Sequence, residues 1–203
     1  MNLVDSLISE NWLKTKEIIE AFKKIKRVDF LPEPLKEFAE SNEAFPIGEG
    51  QTISQPLVVA LMLELLEPKQ GERIMDIGSG SGYTTALLSE IVGDKGKIVS
   101  IERIPELFNF GKANVSKYSF IEKGIVEYVL GDGSKGFEKY SPYDKILISA
   151  ASEKLEEPWK KQLKLGGRVV LPIHSSIYLF IKKGDNIFEQ KEYPGFSFVP
   201  LIK

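Results

Sequence analysis

Residues 73–102 read Arg73-Ile74-Met75-Asp76-Ile77-Gly78-Ser79-Gly80-Ser81-Gly82-Tyr83, then an apolar helical run, then Lys97-Ile98-Val99-Ser100-Ile101-Glu102. The opening residues form a short apolar strand that ends in an acid and a glycine-rich turn. Ala86, Leu87, Leu88, Ile91 and Val92 then recur at helical spacing. The last six residues are a second apolar strand ending in a carboxylate. The stretch is therefore a β-α-β unit whose glycine turn lies at the carboxyl end of its first strand, where open α/β sheets bind ligands. Glycines at alternate positions let backbone pass close to a ligand and take φ values that side chains disfavour.

Glu102 falls about 20 residues past the turn, where a carboxylate can accept from the hydroxyls of an adenosine ribose. The glycines alone would also suit a tight turn without a ligand. Asp76, the flanking elements and Glu102 favour the ligand. A dinucleotide fingerprint places its third glycine three positions after its second, where it allows close helix packing beside a pyrophosphate. Here the glycines are Gly78, Gly80 and Gly82, directly after Asp76. An acid beside the turn repels a pyrophosphate but suits an ammonium or sulfonium group. The pattern resembles the S-adenosylmethionine turn of Rossmann-like methyltransferases.

Composition narrows the chemistry. The chain has 203 residues and 42% hydrophobic content, enough for a sizeable core. Its 27 basic and 29 acidic residues give a net charge of -2, so neither nucleic acid nor a membrane surface is an expected partner. With no cysteine, disulfides, thiolate metal sites and a cysteine nucleophile are excluded. The one histidine, His174, rules out a histidine metal cluster. No run approaches the roughly 18 apolar residues of a membrane span, and the first residues lack a basic signal-peptide region. The expected location is the cytoplasm.

Along the chain, residues 1–36 are expected to be helical, with Ile18, Phe22 and Ile25 on one face. Residues 37–50 read as loop. Leu57 to Leu66 form a buried helix, with Ser54 as its expected N-cap and Pro56 in its first turn. That helix N-terminus would offer free N–H donors to an anion. A helix to about Tyr118 and a strand over Ile125–Leu130 follow. The strand leads into Gly131-Asp132-Gly133, where Asp132 could accept from an adenine amino group. A fourth strand, Lys145–Ser149, precedes Ala150-Ala151, small residues suited to a wall close to a ligand. Glu157 to Leu165 reads as helix, 166–173 as a fifth strand, and Ile177–Lys182 with Ile187–Tyr193 as an antiparallel hairpin. The expected fold is an α/β sandwich, its mostly parallel sheet flanked by helices on both faces. The expected organisation is a single domain over 1–203. Residues 1–55 form a helical extension and substrate loop, and 56–203 form the α/β core.

Pro46-Ile47-Gly48-Glu49-Gly50-Gln51-Thr52-Ile53-Ser54-Gln55-Pro56 resembles the hallmark loop of the protein-L-isoaspartate O-methyltransferase family. Supporting matches are Asp76 to Tyr83, Ser100-Ile101-Glu102-Arg103, Gly131-Asp132-Gly133, Gly166 to Pro172, and Phe198-Val199-Pro200-Leu201. The resemblance covers nearly the whole chain. It implies methyl transfer from S-adenosylmethionine, leaving S-adenosylhomocysteine, to the free α-carboxylate of L-isoaspartyl residues in damaged proteins. Repair then proceeds through a succinimide. It carries the active-site serine onto Ser54, and places Thr52 and Ile53 beside the cofactor and Glu102 on its ribose. The expected cofactor set is Thr52, Ile53, Asp76, Gly78, Ser79, Gly80, Gly82, Glu102, Arg103, Asp132 and Gly133, with no metal. In some members of the family, polar residues beyond the Val-Pro-Leu segment touch the cofactor. Here Ile202 and Lys203 follow that segment, so such contacts are expected to be absent or to come from elsewhere.

The chemistry matches the residue inventory. An α-carboxyl group with a pKa of about 3.3–3.7 is already ionised at neutral pH, so its methylation needs no general base. Rival readings are a methyltransferase for another acceptor, a non-catalytic S-adenosylmethionine-binding module, and a nicotinamide dehydrogenase, which the glycine spacing disfavours. The N-terminal helices would either cover the substrate or form a contact between subunits of a homo-oligomer, and the sequence leaves both open.

Overall fold

The computed structural model describes residues 2–202. The chain begins with α1 (Leu3–Ser9) and α2 (Lys16–Lys24), followed by two 3-10 turns over Arg27–Phe30 and Glu33–Phe38. A small hairpin follows, β1 (Phe45–Gly48) with β2 (Gln51–Ile53), and then α3 (Pro56–Leu66). The central unit is β3 (Arg73–Ile77), α4 (Tyr83–Val92) and β4 (Lys97–Glu102). Next come α5 (Pro105–Ser116), β5 (Val126–Leu130), β6 (Tyr143–Ile148) and α6 (Glu157–Gln162). The chain closes with β7 (Leu163–Ile173), β8 (Ser176–Gly184) and β9 (Ile187–Pro194).

Seven strands form one sheet in the order β5-β4-β3-β6-β7-β8-β9. The first five are parallel, and β8 and β9 add the expected antiparallel hairpin. The order reverses at β3, whose neighbours β4 and β6 continue the sheet in opposite directions. A crevice therefore opens at the carboxyl ends of these strands.

Side chains in the central strands alternate across the sheet. Ile74, Ile98, Leu147 and Val170 pack into the core beneath α3 and α4. Met75, Val99, Ile146 and Val169 pack on the other face with Trp159. This period of two, with both faces covered, is why these strands read as continuous apolar runs. The cover is unequal, because among the described residues the second face has only the six-residue α6 and short 3-10 turns.

Ile18, Phe22 and Ile25 are buried as the helical pattern demanded, and α2 lies against α4. Each such side chain contributes about 1.5–3 kcal/mol relative to exposure.

Two expected elements differ. Residues 37–50 are not all loop, since β1 and β2 pair across a Glu49-Gly50 turn with φ of 53° and 69°. Both turn residues are left-handed, the geometry of a tight hairpin. The helix expected to run to Leu165 stops at Gln162, because Leu163 pairs with Tyr143 and starts β7. Sheet pairing overrides helix propensity there.

Candidate active site

The glycine turn after β3 is shaped by φ. Gly78, Gly80 and Gly82 have φ of 75°, 51° and 84°, a region that L side chains seldom enter. Gly78 N–H donates to Ile101 O at 2.9 Å, and Gly82 N–H to Ser79 O at 2.8 Å. Glu102, at the end of β4, is buried and accepts three backbone N–H groups. They come from Gly80 at 2.9 Å, Arg103 at 2.8 Å and Ile104 at 2.9 Å. The carboxylate thus ties the turn to the end of the neighbouring strand.

These elements surround a cavity that opens to solvent. Thr52, Ile53, Ser54, Gly78, Ser79, Gly80, Glu102, Arg103 and Gly133 line it, together with Ser149 and Ala150. Three residues expected at the cofactor do not line it. Asp76 is fully buried on the α4 side of the sheet, as strand alternation requires, where Oδ2 accepts from Thr85 Oγ1 at 2.6 Å and Thr84 Oγ1 at 3.1 Å. Gly82 faces α5, and a Cβ there would stand 2.8 Å from both Gly111 O and Val115 Cγ2. Its lack of a side chain serves helix packing. Asp132 turns back on its own loop, accepting from Ser134 N–H at 3.0 Å and Ser134 Oγ at 2.7 Å. Those bonds and Lys135 hold its carboxyl below the usual carboxylate range despite partial desolvation. Burial instead pushes the Asp76 carboxyl up to about 6, against the hydrogen bonds from Thr85 and Thr84.

The hairpin loop brings Ser54 to a boundary. A second cavity adjoins the first, and Thr52, Ser54, Ser149 and Val199 belong to both walls. Its remaining walls are Ala44, Gln55, Val58 and residues 195–198. None of its lining residues carries a titratable side chain. Ile47, on β1, packs on the glycine turn so closely that a Cβ on Gly80 would stand 3.1 Å from Ile47 Cδ1.

The expected capping by Ser54 is not found. Gln55 occupies the N-cap position of α3 with no side-chain capping bond, and Pro56 is the first helical residue. The Leu57 N–H instead donates to Asn42 Oδ1 at 2.9 Å, from 15 residues upstream. The helix N-terminus therefore does not offer this donor to an anion. No motif points to Asn42, because a cap supplied across a hairpin has no local spacing.

Polar contacts from beyond the Val-Pro-Leu segment are expected to be absent or to come from elsewhere; the segment itself and Ile202, residues 199–202, line the first cavity. Ala151 N–H donates to Val199 O and Leu201 N–H to Ala151 O, each at 2.8 Å. This bridge swings the tail across the end of β6. Ile104 and Leu107, also on the wall, were not anticipated, because apolar positions opening a helix look like ordinary core. His174 sits exposed in the β7–β8 turn with φ of 52° and lines neither cavity.

The residues present suit a nucleoside bearing a sulfonium. Gly78 lines the cavity beside Ala150, and with no Cβ of its own its backbone can approach a ligand. Ser79 Oγ is buried beside the cavity without a hydrogen-bond partner among the described residues, and Glu102 supplies the acceptor. Among the described residues no group of acids or histidines has the arrangement of a metal site, and no helix is long and apolar enough to cross a membrane.

The model of the Protein-L-isoaspartate(D-aspartate) O-methyltransferase family matches residues 1–203. A protein-L-isoaspartate O-methyltransferase of Methanopyrus kandleri is 38% identical, over 98% of this chain and 89% of its own length. Protein-L-isoaspartate O-methyltransferase 1 of Archaeoglobus fulgidus is 42% identical, over 92% and 86%. Among solved structures, a protein-L-isoaspartate O-methyltransferase superposes with a TM-score of 0.87 at 32% identity, with 98% of this chain spanning 64% of that one. A Plasmodium falciparum structure described as a putative member, in complex with S-adenosyl-L-homocysteine, has a TM-score of 0.88 at 22% identity and shares the fold. With the whole length matched and the hairpin, glycine turn and tail gathered around one pair of cavities, this chain belongs to the protein-L-isoaspartate(D-aspartate) O-methyltransferase family.

Proposed function

We propose that this protein transfers a methyl group from S-adenosylmethionine to the free α-carboxylate of L-isoaspartyl residues in damaged proteins. The observation that carries this reading is Ser54, which lies on the wall shared by the two cavities and does not cap α3. The first cavity holds the cofactor, with Glu102 toward the ribose and residues 78–80 along its backbone. The second receives the isoaspartyl residue.

The bound cofactor supplies a methyl group on a positively charged sulfur. The protein's part is alignment, which can contribute about 7–11 kcal/mol when two reactants are held in line. Ser54 Oγ donates to one carboxylate oxygen and leaves the other free to attack. A wall without lysine, arginine or histidine leaves the negative charge on the acceptor unquenched and its hydration reduced. Charge is lost as the methyl passes between the oppositely charged reactants, so a neutral wall suits the transition state. No proton has to be removed, which fits the missing base. The neighbouring backbone nitrogen then attacks the ester carbonyl carbon, the C–OCH3 bond breaks, and methanol leaves with the nitrogen's proton; hydrolysis of the resulting succinimide returns some normal aspartate.

Asp76 acts as a support for the turn rather than a contact, through Thr84 and Thr85. The chain is read as one unit, with 1–55 as extension and substrate loop on a 56–203 core. The shared apolar cluster of α2, α3 and α4 supports that reading. A cytoplasmic setting belongs to the same proposal and fits a chain that needs no disulfide.

The test uses two synthetic peptides that differ only in one L-isoaspartyl or L-aspartyl linkage, with methyl-labelled S-adenosylmethionine. Base-labile label on the isoaspartyl peptide alone is expected. Label on neither, with the cofactor shown to bind, would remove this activity.

A further inference from the structure

Ser54 is free of capping because other residues hold its loop, and the holding starts in the N-terminal extension. Arg27 is buried, and among the described residues its guanidinium is bonded by no carboxylate. Instead Nη1 donates to Ala39 O at 3.3 Å and Ser41 O at 3.0 Å, and Nη2 donates to Glu43 O at 2.6 Å. It also lies 5.4 Å from the centre of the Phe45 ring, at the start of β1. A rigid fork of donors is suited to spanning several carbonyls, as a lysine ammonium is not. The residue enclosed by this clamp is Asn42. Its Oδ1 caps Leu57 N–H at 2.9 Å, and its carbonyl accepts Gln55 Nε2 at 2.8 Å. Both bonds land on residues next to or just beyond Ser54, on the wall where the two cavities meet.

We propose that Arg27 and Asn42 are positioning residues for Ser54. Arg27 fixes the 39–43 segment, and Asn42 then fixes Gln55 and the first turn of α3. The Ser54 hydroxyl is thereby relieved of capping and held toward the acceptor. This rests on the role of Ser54 proposed above. It gives the N-terminal extension a part in turnover, apart from any part in covering the substrate.

The test compares Asn42→Ala, Asn42→Asp and Arg27→Lys in the full chain, each also in a Ser54→Ala background. Asn42→Ala is expected to lower kcat on the isoaspartyl peptide by about tenfold, the scale of one lost oriented hydrogen bond, and to leave S-adenosylhomocysteine affinity within about twofold. Asn42→Asp keeps the acceptor, at a helix end that favours negative charge, and should restore turnover to within about threefold. Arg27→Lys should lower kcat in the same direction. In the Ser54→Ala background Asn42→Ala should add less than about twofold, because a residue acting through another is not additive with it. A purely structural role would instead lower turnover equally in both backgrounds and take cofactor affinity with it. That result, or an Asn42→Ala protein as fast as the wild type, overturns the proposal. Should Asn42→Ala fail to fold, Asn42→Gln, which moves the oxygen by one methylene, is measured against the same thresholds. A wild-type protein that leaves the isoaspartyl peptide unlabelled overturns the functional reading itself and this inference with it, a pattern distinct from the other two.

Discussion

Glu102 Oε2 accepts the Gly80 N–H at 2.9 Å, joining the end of β4 to the middle of the glycine turn. The other oxygen takes the N–H groups of Arg103 and Ile104. One carboxylate therefore organises the turn and presents an acceptor at the cavity wall. Glu102→Gln keeps the size but loses an acceptor oxygen and the charge. S-adenosylhomocysteine affinity, measured by calorimetry, is expected to fall about 10–100-fold, as for loss of charge-assisted hydrogen bonds. Unchanged affinity would remove Glu102 from the cofactor site.

Ser54→Ala tests the opposite side of the site. Turnover of the isoaspartyl peptide should drop about 10–100-fold, the range for an oriented hydrogen bond to a charged group. Cofactor affinity should stay within a factor of about two, since Thr52, Ile53 and the turn still form the first cavity. A variant that loses cofactor binding with its activity would contradict the assignment of Ser54 to the acceptor.

Gly82→Ala should be a stability mutation. Its Cβ would crowd Gly111 O and Val115 Cγ2 at 2.8 Å, at a φ of 84°. Left-handed strain of about 1–2 kcal/mol adds to overpacking of about 1–3 kcal/mol, so urea unfolding should show a loss of about 2–5 kcal/mol. A variant within 0.5 kcal/mol of wild type, roughly the scatter of neutral surface changes, would show that α5 can move away.

Asp76 predicts a pH signature. Its folded pKa of about 6 lies above that of an unfolded aspartate, so the folded state holds its proton more tightly. Its contribution is fully present below about pH 4 and is lost as pH rises toward and through about 6. Between pH 4 and pH 7, wild-type stability relative to Asp76→Asn should therefore fall by about 2 kcal/mol. Denaturant titrations of both proteins across that range measure the difference. A constant difference would mean that the carboxylate finds compensation for its burial.

Much of the fold was legible in short-range pattern. The strands of the parallel sheet, the glycine turn and the β8–β9 hairpin each depend on residues within a few positions of one another. The β1–β2 hairpin escaped because its turn, Glu49-Gly50, lacks the usual asparagine or aspartate signal and Pro46 weakens a strand reading. Glycine positions predicted a turn, but not that Gly78 meets the ligand space while Gly82 serves helix packing. That division depends on α5, which lies well beyond the turn.

By itself the sequence determined the fold class, the family and the chemistry available, because periodicity, motif spacing and residue inventory are properties of the chain. Only the tertiary structure decided which residues reach the site. Alternation along β3 put Asp76 under α4 and off the wall, although its place in the motif had suggested the cofactor. Asn42, and not Ser54, caps α3, because the 39–43 segment folds back onto that helix. The tail closes the first cavity because Ala151 bridges it to the end of β6. Each of these outcomes rests on a hydrogen bond or a packing contact between residues far apart in sequence, and such contacts exist only once the sheet and its covering elements are in place.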